Sequence, residues 1–148
     1  MAAVIALLQR VLEARVEIAG ECRASIGKGL VALVGVRPAD DDSSAGRLLD
    51  RVLQYRMFAD EVGKMNLDLR QIAGDLLLVP QFTLAADTRH GLRPGFSTAA
   101  PPAQAQRLFE HLVEAAKARH QRVASGVFGA HMRVSLTNDG PVTFWLET

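Results

Sequence analysis

Leu30-Val31-Ala32-Leu33-Val34-Gly35-Val36 is an unbroken apolar run, set off on its N-terminal side by Gly27-Lys28-Gly29. A strand with one wet face alternates apolar and polar residues, so this run predicts a central strand buried on both faces. Before it, residues 4–18 alternate aliphatic and β-branched residues with polar ones, as a long strand does. Gly20-Glu21 marks the turn into a return strand over 22–26. After it, residues 40–44 supply N-cap choices for a helix carrying Leu48, Leu49, Val52 and Leu53 on one stripe. A short strand is predicted over 56–58, a turn over 60–63 and a second buried strand over 76–80. Residues 85–101 lack periodicity and predict a long loop, a length usually tied to function. Pro102 suits the first turn of a helix running to about 120, with Ala105, Leu108, Phe109, Leu112 and Ala116 on its apolar face. Strands over 132–136 and 142–146 complete the pattern. The whole predicts one α+β domain over residues 1–148: a curved, mostly antiparallel sheet or barrel with two main helices packed outside.

The bulk properties set limits. A chain of 148 residues makes about one domain and buries roughly two thirds of its unfolded surface. Cys22 is the only cysteine, which excludes an intramolecular disulfide and fits a reducing compartment. It reads as a small buried or half-buried hydrophobe rather than a nucleophile. Residues 1–8 are apolar without a basic leader, and no run approaches the ~20 residues that span a membrane, so a cytoplasmic setting is expected. A net charge of +1 lacks the broad basic field of a protein that wraps DNA or RNA. It leaves room for an enzyme that grips one end of an RNA.

Candidate chemistry is sparse. His111 and His120 fall on the charged face of the second helix, His90 in the loop and His131 at the start of a strand. There is no Gly-x-Ser-x-Gly elbow and no paired His/Cys spacing, so neither a catalytic triad nor a zinc site is expected. Arg89, His90 and Arg93 suit phosphate contacts or a solvated surface equally, Lys117, Arg119 and Arg122 read more simply as a solvated surface than as phosphate contacts, and no aromatic-basic interleaving marks a base-stacking platform. In Asn138-Asp139-Gly140-Pro141-Val142-Thr143, Asp-Gly would ordinarily turn a hairpin, but proline follows at once and has no N–H for a ladder. Either the chain holds a special backbone shape there or the proline lies on an edge strand.

The order and spacing of several strings give a more specific reading. They are Gln9-Arg10-Val11, Gly29-Leu30-Val31, Arg56-Met57-Phe58, Gly63-Lys64-Met65-Asn66, Gln81-Phe82-Thr83-Leu84, Arg93-Pro94-Gly95-Phe96, Gly126-Val127-Phe128-Gly129-Ala130 and Asn138 to Thr143. Together they resemble the D-aminoacyl-tRNA deacylase (D-tyrosyl-tRNA deacylase) family along almost the whole chain. One departure stands out. The family commonly has serine before Gln-Phe-Thr-Leu, and here that position is Pro80, so no mechanism here uses a serine side chain at that position.

The resemblance implies hydrolysis of the ester of D-aminoacyl-tRNA, action on glycyl-tRNA and rejection of L-aminoacyl-tRNA, with no metal or organic cofactor. It implies a site of Gln81, Phe82 and Thr83 built largely from main-chain atoms, the N–H groups of Phe82 and Thr83 being the oxyanion donors. It assigns chiral selection to a cis Gly140-Pro141 unit with Val142, reaching into the site of a partner subunit in a homodimer. Within that frame Thr83 acts directly or merely makes a strand-end hydrogen bond. Arg10 braces the Gly-Pro segment or is a surface charge, and Met132 walls the pocket or is an ordinary core methionine. Pro80 is a structural variant beside the site. The partner implied is the aminoacylated 3′ end of tRNA. A non-catalytic module that binds the tRNA end on the same fold is the alternative.

Overall fold

The computed structural model describes residues 4–148, so the part of the N-terminal reading that concerns residues 1–3 lies outside it. The strands are β1 (Ile5–Ile18), β2 (Glu21–Ile26), β3 (Gly29–Gly35), β4 (Phe58–Ala59), β5 (Met65–Leu67), β6 (Asp75–Pro80), β7 (Val123–Ser125) and β8 (Arg133–Glu147). The helices are α1 (Asp42–Gln54) and α2 (Pro102–Arg119), with a one-turn 3₁₀ helix at Phe82–Ala85. β1 is the spine of the main sheet. On one edge it pairs antiparallel with β3 from Ile5↔Gly35 to Val11↔Gly29, then with β2 at Ala14↔Ile26. The register is continuous across Gly27-Lys28, so β2 and β3 act as one long partner strand interrupted by a turn. On its other edge β1 pairs with β8 from Ile5↔Glu147 to Glu17↔Arg133.

β6 adds parallel to β3, and β7 parallel to β6. β2 curls over far enough to touch β6 and β7, which nearly closes the sheet. The sheet is therefore mixed, antiparallel around β1 and parallel around β6. Asp75 organises the bend. Its carboxylate accepts from Gly27 N at 2.9 Å, and its N–H donates to Lys28 O at 3.0 Å. A Cβ at Gly29 would sit 2.0 Å from Asp75 O, so this crossing of backbones admits only glycine.

The two faces of β3 and β6 feed two cores, as the apolar run predicts. One core packs Leu30, Leu76 and Leu78 against Leu48, Leu49, Val52 and Leu53 of α1 and Leu108, Phe109 and Leu112 of α2. The other fills the curled side with Val11, Val16, Val31, Leu77 and Val79. Asp41 caps α1, accepting from Ser44 N at 2.9 Å, while Asp41 N donates to Ser44 Oγ at 2.7 Å. Pro102 opens α2 at the position where a missing N–H costs nothing.

Some expectations need correction. Residues 132–136 and 142–146 are one strand, β8, because a 14-residue β1 is long enough to partner both halves. The short strand expected over 56–58 begins only at Phe58, and its partner β5 together with β7 was not foreseen; three residues carry too little periodicity. Cys22 is exposed rather than half-buried. His120 is half-buried, its Nε2–H donating to Gly74 O at 2.6 Å.

Candidate active site

The chain leaves β6 at Pro80 and goes straight into the 3₁₀ turn. Backbone groups along β6 alternate between its neighbours. Leu76 N donates to Arg122 O and Leu78 O accepts from Gly126 N on the β7 side, whereas Gln81 N donates to Val34 O at 2.8 Å on the β3 side. Pro80 thus turns its nitrogen toward β7, which has already ended at Ser125. Proline closes this ladder at its end rather than interrupting it, which is where it is tolerated. The 3₁₀ turn then rests on Gly35, where an added Cβ would lie 3.0 Å from Leu84 Cβ and 3.2 Å from Gln81 O.

Beside this segment opens a cavity of about 440 Å³. Val79, Pro80, Gln81 and Phe82 form one wall, Pro102 and Ala105 of α2 another, and Phe128, Gly129, Ala130, Met132 and Val134 a third. Met132 is held in place by Gly126, whose added Cβ would fall 2.7 Å from Met132 Sδ and 3.3 Å from Pro80 Cδ. Leu84 N and Ala86 N donate to Gln81 O and Thr83 O, while the N–H groups of Phe82 and Thr83 have no acceptor among the described residues. These are the orphan donors of a helix start. The Thr83 hydroxyl accepts from Gln81 Nε2, so the two side chains engage each other, and Thr83 itself is exposed and not part of the cavity wall.

Gly140 and Pro141 lie elsewhere. Between Gln9↔Thr143 and Val11↔Asn138, β1 has one residue, Arg10, and β8 has four, 139–142. The excess is thrown outward as a large bulge that contains the cis Gly140-Pro141 bond, with Gly140 at φ +125°. Asn138 staples its base, Nδ2 donating to Arg10 O at 2.8 Å and Val142 O at 3.0 Å. Arg10, its side chain only 15% exposed, donates from Nε to Asp139 O at 3.2 Å and from Nη1 to Met57 O at 3.0 Å, and pairs with the Asp139 carboxylate at 3.3 Å. Val142 packs on the core, and Gly140 and Pro141 are exposed. Arg10 is four residues along β1 from Ala6, whose partner Val34 pairs with Pro80. That is roughly 13 Å along the strands, with two strand spacings besides. Within one chain, then, Gln81, Phe82, Pro80 and Met132 share a cavity that Gly140, Pro141, Val142 and Arg10 do not line.

Sequence reasoning overlooked the walls contributed by Pro102, Ala105 and Val134, whose small or apolar side chains carry no chemical signal. It also overlooked an aromatic pair at the cavity mouth. Phe82 and Phe96, half-exposed, stand 5.3 Å apart between ring centroids. The residues are far apart in sequence and meet because the loop folds back through Asp87 N donating to Gly95 O at 2.7 Å and Thr98 Oγ donating to Ala85 O at 2.6 Å. In that loop Asp87 is held below the usual carboxylate range, first by the Arg89 N–H and then by His90, at 2.9 Å.

Solved structures share this fold. A protein described as the c-Myc DNA unwinding element binding protein superposes with a TM-score of 0.90 at 35% identity, covering 100% of this chain and 99% of its own. A probable eukaryotic D-amino acid tRNA deacylase superposes at 0.83 and shares the fold at 16% identity, covering 99% of this chain and 100% of its own. The chain belongs to the D-Tyr-tRNA(Tyr) deacylase family, whose model matches residues 7–147. Relatives named D-aminoacyl-tRNA deacylase include one from Azotobacter vinelandii, 65% identical over 142 residues, covering 96% of this chain and 98% of its own. Another, from Ectopseudomonas mendocina, is 61% identical over 141 residues, covering 95% and 97%. The activity is that of a D-aminoacyl-tRNA deacylase, a carboxylic ester hydrolase acting on tRNA, rather than of a binding module. Among the described residues no helix is long and apolar enough to cross a membrane.

Proposed function

We propose that this deacylase works by main-chain electrostatics on an ester that is already activated, and that a homodimer completes its site. The observation that most supports the reading is the pair of unengaged N–H groups of Phe82, in the cavity wall, and Thr83, the next residue along the turn. The ester carbonyl oxygen receives both. Water attacks the carbonyl carbon, the negative charge gathers on the oxygen that the two donors hold, and the bond to the ribose oxygen breaks. The proton lost by water passes through the vicinal ribose hydroxyl to the departing oxygen. A preorganised donor of this kind contributes roughly 3–4 kcal/mol to the transition state. The Thr83 hydroxyl, engaged by Gln81, positions and does not attack.

Selection of the D form falls to Gly140-Pro141. The bulge is exposed and remote from the cavity of its own chain, so the partner's cavity is its place of action in the cytoplasmic homodimer. Carbonyl oxygens there accept from the substrate ammonium, and with ammonium and carbonyl fixed only one enantiomer turns its side chain outward. Glycine has no side chain to clash, so glycyl-tRNA is hydrolysed at high enzyme concentration while L-aminoacyl-tRNA is refused. No metal or organic cofactor takes part.

The test is hydrolysis of matched D-tyrosyl-, L-tyrosyl- and glycyl-tRNA with and without chelator. Rapid loss of the D ester, slower loss of the glycyl ester and no loss of the L ester, all indifferent to chelator, is the expected result. Equal turnover of both enantiomers would refute the filter. A shared site is tested by mixing two inactive variants, Phe82→Pro and Gly140→Ala: hybrid dimers regain part of the wild-type turnover, and no recovery in verified hybrids would place the whole site in one chain.

A further inference from the structure

We propose that the concavity of about 370 Å³ at the C-terminal end of α2 binds backbone phosphates of the acceptor duplex of the tRNA. The proposal rests on tRNA being the substrate and concerns a place remote from the ester. Three arginines meet there from three segments: Arg70 from the turn after β5, Arg119 from the end of α2 and Arg122 from the link to β7. Basic residues at a helix C-terminus offset the negative end of its dipole, which accounts for Arg119 and Lys117. It does not account for Arg70 or Arg122.

Each guanidinium meets one carboxylate from one side: Arg119 Nη1 to Asp50 at 2.6 Å, Arg122 Nη1 to Asp75 at 3.6 Å, and Arg70 Nη2 to Asp68 at 3.8 Å. Asp68 and Asp75 lie beneath, their side chains 15% and 16% exposed, and accept backbone N–H groups from Gln71 and Gly27. The side chains of Arg70 and Arg122 are 45% and 75% exposed. An arginine carries five N–H donors in a planar fork that matches phosphate oxygens, so one carboxylate contact leaves most of them for an anion. The half-buried His120, donating to Gly74 O, ties the floor of the concavity to the end of α2.

Distance decides which phosphates. The first residues of α2, Pro102 and Ala105, line the candidate cavity. The 18 residues of α2 carry the arginines about 27 Å from that end. At ~3.4 Å per stacked nucleotide this reaches about eight nucleotides from the ester, within the duplex and beyond the unpaired 3′ end. In the groove between, Glu114 pairs with Lys117 at 3.9 Å and Glu110 adds a negative charge, so the groove offers the backbone no net attraction and the two ends hold it.

The decisive experiment compares two substrates, D-tyrosyl-tRNA and a D-tyrosyl ester of adenosine, on wild type and on the triple variant Arg70→Gln/Arg119→Gln/Arg122→Gln. For the tRNA, kcat/KM is expected to fall about tenfold at ~0.1 M salt through KM, and the log–log salt slope to shrink by about 2–3. Turnover of the adenosine ester stays unchanged. Equal losses on both substrates, or no loss on tRNA, would overturn the proposal. Asp50→Asn separates binding from mere bracing. It breaks the Arg119 ion pair but keeps the guanidinium, so tRNA affinity should hold or rise, and a loss matching the triple variant would assign the cluster a structural role. Titration with uncharged tRNA reads the same site without the ester, and so tests it even if the proposed mechanism fails.

Discussion

Gly140 combines a left-handed backbone with crowding by its neighbours. At φ +125° a side chain is strained, and an added Cβ would lie 2.7 Å from Val142 Cγ2 and 3.1 Å from Arg10 Nη2. Gly140→Ala should therefore distort the bulge and lower D-tyrosyl-tRNA turnover at least tenfold while circular dichroism stays unchanged, since the core lies elsewhere. Phe82 offers the complementary test. Phe82→Pro removes one N–H at a helix start that tolerates proline, and should lower kcat by about 10²–10³ in single-turnover assays with little change in affinity. Thr83→Val, which deletes only a hydroxyl held by Gln81, should keep turnover within a few-fold. At this scale the family was legible because the order and spacing of the strings are distinctive. That Gly140-Pro141 and Gln81-Phe82 lie apart in one chain was not, since no local pattern records a distance.

Among the elements, α1 depends on its cap. The Asp41 carboxyl is held below its ordinary value, first by the Ser44 backbone N–H and also by the Ser44 side chain and Arg47. Its stabilising effect is therefore complete above the ordinary value of 3.8 and is lost as pH falls through the depressed one. Asp41→Asn keeps a good cap but cannot titrate, so melting curves between pH 2 and 5 (roughly the range in which carboxylates titrate) should show a flatter acid limb and near wild-type stability at neutral pH. Ser44, fully buried, answers with the reciprocal bond, and Ser44→Ala should cost about 1 kcal/mol by denaturant titration. Both helices and β1 were readable from periodicity, and β3 and β6 from their unbroken apolar runs. β8 was misread as two strands because Asp139-Gly140 is a turn signal in isolation. The length of β1, available in the same sequence, was the counter-signal, because a partner of that reach can carry both halves past an outward bulge.

In the molecule as a whole, the parallel pair β3 and β6 sends side chains into two separate cores. Leu76, fully buried against both helices, should cost about 2–5 kcal/mol when truncated to alanine, measured as the shift in urea midpoint at unchanged slope. The α+β architecture was legible from the order of apolar runs. The sheet's mixed character was not, because an apolar run such as β6 reads the same whether it lies parallel or antiparallel to β3, and the three-residue β7 carries no signal of its own. The full-length pairing of β1 with β8 has a consequence in time. On its β8 edge Ile5 finds its partner in Glu147, so during synthesis the spine strand waits with that edge bare until almost the entire described chain has been made. Long-range closure of that kind folds slowly and exposes a pairing edge meanwhile. A nascent chain stalled before β8 is the species in which this protein is most open to aggregation and to chaperones.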